Sequence, residues 1–144
     1  MLPFHGAAIK AVVTTYLVLY NDLDMEHTQW AVYYATALKR RQQARHRLEQ
    51  RRNRAWQLAH RAARLLKERF GATRVVLFGS LARYEGFSLW SDVDLAAWGL
   101  RPDRTFRAVL ALMELDPEIE INLVDMAACR PELRAVIEQE GLEL

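Results

Sequence analysis

Two aspartates spaced i, i+2, Asp92 and Asp94, open an apolar run 12 residues after Ser80. On a strand, that spacing puts both carboxylates on one face and turns Val93 and Leu95 to the other, because side chains alternate with period two. A carboxylate pair suits a hard divalent cation. Upstream, Val75-Val76-Leu77-Phe78 reads as a buried strand, Gly79-Ser80 as a turn, and Leu81-Ala82-Arg83 as a short helical start. Free backbone N–H groups at such a corner suit phosphate oxygens. A Gly-Ser pair alone is ordinarily a turn, and Asp-x-Asp alone a solvated strand edge or cap. Side by side, they offer what phosphoryl chemistry on a nucleoside triphosphate requires. All four histidines, His5, His27, His46 and His60, precede residue 71, so metal rather than imidazole must carry any chemistry here.

The elements that position these residues follow from periodicity and breakers. Residues 25–70 contain no proline or glycine and are rich in strong helix formers, which predicts one long helix or two in series. Its last part is amphipathic, with Ala55, Leu58, Ala62, Leu65 and Leu66 on one face, and Gly71 stops it. Strands are expected at about 74–78, 92–98 and 118–125. In the last, Ile119, Ile121 and Leu123 face the core and Glu118, Glu120 and Asn122 face away. Pro102-Asp103 opens a helix to about Leu115 with an apolar stripe of Phe106, Val109, Leu110 and Met113, and Pro117 follows it. Pro131 starts a last helix that is expected to bury Leu133, Val136 and Ile137 and to stop at Gly141. Ahead of all this, residues 7–20 are apolar but interrupted by Lys10. That run is far short of the ~20 residues that span a bilayer, so it reads as a packing or self-association element. Asn21-Asp22-Leu23-Asp24 reads as a turn and cap.

At 144 residues with 51% hydrophobic content, the chain can build one core plus an extension. A single cysteine, Cys129, excludes an internal disulfide, and no signal peptide or membrane span is evident, so a reduced cytoplasmic protein is expected. The small net charge of +2 hides a split. Residues 1–70 carry 13 Lys/Arg against 5 Asp/Glu, whereas residues 71–144 carry 7 against 13. Eight of the basic residues fall between Lys39 and Arg54, where Arg40, Arg47, Arg51 and Arg54 align on one helical stripe. Such a stripe is a solvated face, a docking surface for an acidic partner or a second subunit, or, less in keeping with its composition, a nucleic-acid contact.

The succession of strand, Gly79-Ser80, Arg83 and Asp92-x-Asp94 resembles the signature of the minimal nucleotidyltransferases of the polymerase-beta-like superfamily, over about residues 55–144. The resemblance implies an α+β fold built on a small mixed sheet; residues 1–54 read as a long helical extension ahead of it. It implies that Gly79, Ser80 and Arg83 face the nucleotide and that Asp92 and Asp94 bind Mg²⁺. The implied reaction attacks the α-phosphate of ATP with a hydroxyl, transfers AMP and releases pyrophosphate. Small members of this kind include antitoxins paired with HEPN-domain toxins, some adenylylating a tyrosine of the toxin, so a HEPN protein is the implied partner. Arg83 has a simpler role open to it, an ion pair with Glu85 or with an aspartate of the site. One departure stands out: the family's third carboxylate falls on the third strand, where this chain has Asn122. Glu120 lies on the same strand face and is the candidate substitute, while Asp125 has core-facing parity. A catalytically impaired antitoxin that neutralises its partner by occlusion is the competing expectation.

Overall fold

The computed structural model describes residues 10–16, 25–83 and 85–144. The chain divides into two compact units, Met1–Arg47 and Leu48–Leu144. In the first, residues 10–16 form a helix, α1. The expected turn at Asn21–Asp24 lies outside the described residues, as does the remainder of the apolar segment 7–20. The long helix is a single element, α2 (Met25–Phe70). Among the described residues, no helix is long and apolar enough to cross a membrane.

The second unit is built on a four-stranded mixed sheet of order β3-β2-β1-β4. Strand β1 (Arg74–Phe78) pairs antiparallel with β2 (Val93–Trp98), which runs parallel to β3 (Ile121–Asp125). Helix α3 (Gly79–Ala82) follows β1, α4 (Pro102–Met113) links β2 to β3, and α5 (Pro131–Glu140) precedes β4 (Leu142–Glu143). The alternation of each strand decides what each face buries. Val75, Leu77, Val93, Leu95 and Ile121 meet Leu58, Ala62 and Leu66 of α2 and Ala108 and Leu112 of α4 in the main core. The opposite face holds a smaller cluster of Val76, Ala96, Met126 and Ile137.

Four expectations are corrected by this packing. The third strand begins at Ile121 rather than 118, because the Asp116 carboxylate accepts hydrogen bonds from the N–H groups of Glu118 (2.8 Å) and Ile119 (3.1 Å) and bends the chain into a turn. Helix α4 turns its small face inward. Ala108 and Leu112 are buried, while Phe106, Leu110 and Met113 are 71%, 45% and 62% exposed. The Thr105 hydroxyl bonds the Asp125 carboxylate at 3.2 Å, which fixes that rotation and lets the backbone approach the sheet over Ala108. In α5 only Ile137 is buried, with Leu133 and Val136 left partly exposed. A Cβ on Gly141 would overlap Val76, so the chain passes too close to β1 there for a wider helix face to be covered. The fourth strand, which the sequence does not announce, is two residues long and pairs Val76 with Glu143.

The basic stripe of α2 is also partly spent inside the molecule. Arg54 makes two hydrogen bonds of 2.9 Å to the Asp116 carboxylate and also pairs with Glu118. It thereby ties α2 to the turn that leads into β3. Burial of Asp116 works against its ionisation, but the N–H groups of Glu118 and Ile119 and the Arg54 guanidinium outweigh it and hold the carboxyl below its ordinary value of 3.8. A carboxyl lowered on folding contributes stability that is complete above its unfolded pKa and lost as pH falls through the lower folded one. Asp116→Asn is therefore expected to cost stability at neutral pH and to lessen the fall in stability below about pH 4, measured as urea midpoints across an acid series.

Candidate active site

Three elements converge on one carboxylate. Asp94, second in β2, lies opposite Phe78 at the end of β1 and beside Asn122, second in β3. The Asn122 amide donates from Nδ2 to Asp94 Oδ1 at 3.1 Å. On the other side Gly79, with φ of +75°, closes over Asp94 Oδ2. A Cβ there would overlap Oδ2 and come within 3.2 Å of Cγ. The glycine of the Gly-Ser pair is thus required twice, for a left-handed backbone and for contact with the second aspartate. Ser80, next in the one-turn helix α3, stays partly open to solvent, while Leu81 behind it is fully buried and anchors the turn.

Asp92 precedes the strand, and a separate scaffold holds its approach. Arg51 of α2 donates from Nη2 to the carbonyl of Ser91 at 3.1 Å. Ser91 in turn accepts from the Ser88 N–H at 2.8 Å through its hydroxyl and donates its own N–H to the Ser88 carbonyl. The Nε of Arg51 is enclosed without an acceptor. Leaving such a group unpaired is costly, so Arg51 is held there by its contact with the loop rather than by its surroundings. Sequence reasoning placed Arg51 on an outward stripe. No spacing signal distinguishes an arginine that reaches a loop 40 residues away from one that reaches water.

Asp94 and Asn122 therefore share the sheet face opposite the main core, and Asp92 lies just ahead of β2. Glu120, one residue ahead of β3, is exposed and has its carbonyl held by the Val93 N–H at 2.9 Å. Among the described residues, no three His, Cys, Asp or Glu side chains come together as a metal cluster. Two carboxylates with a neutral amide still form a hard-oxygen donor set of the sort Mg²⁺ accepts, since that ion retains waters and takes further oxygens from phosphate. Arg83 forms its ion pair with Glu140 of α5 at 3.6 Å, rather than with Glu85 or a site aspartate.

No protein-family model matches the chain, and no curated protein does. Solved structures do. One assigned as a minimal nucleotidyltransferase is 32% identical over 67% of this chain and 92% of its own, with a TM-score of 0.42. A chain of a mutant MntA–HpeT toxin–antitoxin structure is 20% identical over 59% of this chain and 69% of its own, with a TM-score of 0.50. A chain of a toxin–antitoxin structure with AMP-PNP is 19% identical over 59% and 70%, again at 0.50. The first carries the relationship by sequence and the other two by fold. The chain belongs to the minimal nucleotidyltransferase family.

Because Gly79 admits no side chain, Gly79→Ala is expected to destabilise the second unit by about 1–2 kcal/mol from the left-handed backbone alone, and by more from the overlap with Asp94. Chemical denaturation of Gly79→Ala beside Gly71→Ala separates the two contributions, since Gly71 has a φ of +75° but open space around it.

Proposed function

We propose that this chain binds a nucleoside triphosphate, ATP by analogy with the AMP-PNP-bound relative, and transfers AMP slowly to a hydroxyl of a HEPN toxin, acting as its antitoxin. The observation that carries this reading is the convergence of Gly79, Asp94 and Asn122 at one end of β1, β2 and β3. The N–H groups and hydroxyl at Gly79-Ser80 would receive the β- and γ-phosphates, and Asp92 and Asp94 would hold Mg²⁺. The bound ion supplies charge neutralisation on the phosphate oxygens and on the entering hydroxyl. The acceptor oxygen forms a bond to the α-phosphorus as the bond to pyrophosphate breaks, and the acceptor proton must leave. Asn122 cannot take that proton and adds no charge. Its amide instead engages Oδ1 of Asp94. Binding is therefore better supplied than transfer. The Asn122–Asp94 contact also favours a second reading, in which this chain neutralises its partner by occlusion after nucleotide binding.

The chemistry at position 122 separates the two. Asn122→Asp would set a second carboxylate against Asp94 at hydrogen-bond distance, so its stability without metal is expected to fall and Mg²⁺ to restore it. Transfer of label from α-labelled ATP to the purified partner is expected to rise by at least about 10²-fold, the effect of regaining an acid-base or electrostatic group. Equal labelling by wild type and Asn122→Asp, lost in Glu120→Gln, would make Glu120 the working third acid. No labelling by either protein, with the partner still inhibited, would establish occlusion. Calorimetry gives the complementary measurement, in which Asp92→Ala is expected to weaken Mg²⁺-dependent ATP binding markedly while ATP binding without metal changes little.

A further inference from the structure

Helix α4 presents to solvent the stripe that its sequence period marks as a core face. Phe106, Leu110 and Met113, at i, i+4 and i+7, are 71%, 45% and 62% exposed. Apolar side chains in contiguous exposed rows mark contact surfaces rather than ordinary scattered exposure. Along one edge of this row, Arg107 stands one turn before Leu110 and Glu114 one turn after it, and all three line a shallow cavity of about 380 Å³ with Arg69, Phe70 and Arg104. Among the described residues, neither Arg107 nor Glu114 has an ion-pair partner within the chain.

We propose that this face binds a second copy of the same chain, with the two α4 helices antiparallel about a two-fold axis beside Leu110. The charge pattern is what selects this occupant. A basic residue before the centre and an acidic one after it, on the same edge, is self-complementary under a two-fold rotation. Arg107 of each copy then meets Glu114 of the other, and Phe106 covers Met113 in both directions. An isologous interface needs that property, and a surface built for a purely acidic or purely basic partner lacks it. A three-turn helix buries less than the roughly 800 Å² per partner of a standard stable interface, so the dimer is weak and forms with rising concentration. The face lies on the main-core side of the sheet, whereas Asp94 and Asn122 lie on the other side, so pairing leaves the nucleotide site open. The inference therefore does not depend on the proposed reaction.

Sedimentation of the full chain over a concentration series tests it. Wild type is expected to pass from monomer to dimer, and Leu110→Asp to remain monomeric with an unchanged melting curve and unchanged ATP binding. Arg107→Glu is expected to weaken dimerisation by about tenfold, from two lost ion pairs that become like-charge contacts. Adding Glu114→Arg to Arg107→Glu is expected to restore it, because the pairs are re-formed with reversed sign. A wild type that stays monomeric throughout, a dimer indifferent to Leu110→Asp, or failure of the double reversal to restore association would each overturn the proposal.

Discussion

The site depends on how one carboxylate is held. Asp94 is wedged between a glycine that has no side chain and an amide that donates to it. Both neighbours are delivered by strand register, since β1 and β3 flank β2 and place Phe78 and Asn122 level with Asp94. A slip of one residue in either pairing would turn the partner to the other face of the sheet. The apolar alternation prevents it, because the same slip would expose Val75, Leu77 and Ile121 and bury polar groups. Packing of the main core on one face therefore fixes the geometry of polar groups on the other.

The loops at that edge are not held by the sheet alone. Helix α2 reaches both of them, with Arg51 on the carbonyl before Asp92 and Arg54 on the turn that feeds β3. Both arginines stand within a turn of each other and use opposite chemistry. Arg51 gives a single hydrogen bond to a backbone carbonyl, while Arg54 forms a fork on a carboxylate, the geometry in which arginine is strongest. The acidic second half and the basic first half of the chain meet at this point. Part of the charge split that suggests an external anionic partner is thus used to fasten one helix to the loops beside the candidate site.

What could be read from the sequence divides along physical lines. The strand at 74–78, the strand expected from 92, which begins at Val93, the Gly-Ser corner and the core side of α2 are set by local period and by breakers, and the structure has them. The expected place of Asn122 beside the Asp-x-Asp strand was legible by counting, and the structure sets its amide on Asp94. The rotation of α4 was not. Its apolar stripe is real, but a helix that crosses a sheet closely is placed by its smallest residues, and Thr105 with Asp125 locks Ala108 inward. The internal use of Arg51 and Arg54 was equally hidden, since a contact between residues 40 or 62 apart leaves no periodic trace. Leu133 and Val136 fail for a related reason: periodicity marks a face as apolar without saying how much of it the sheet has room to cover.

Asn122 joins these threads. Three carboxylates on one sheet edge repel one another unless a cation is present, so a site with all three depends on its metal for order. With an amide in the third position, the Asp94 carboxylate gains a neutral donor and the edge is satisfied without metal. Order before binding comes at the expense of the charge and proton acceptor that transfer needs. On the proposed function, the same residue would make the site a more stable receptor and a poorer catalyst. Within that proposal, the exchange would suit a protein that remains bound to a partner at least as well as one that modifies the partner and leaves.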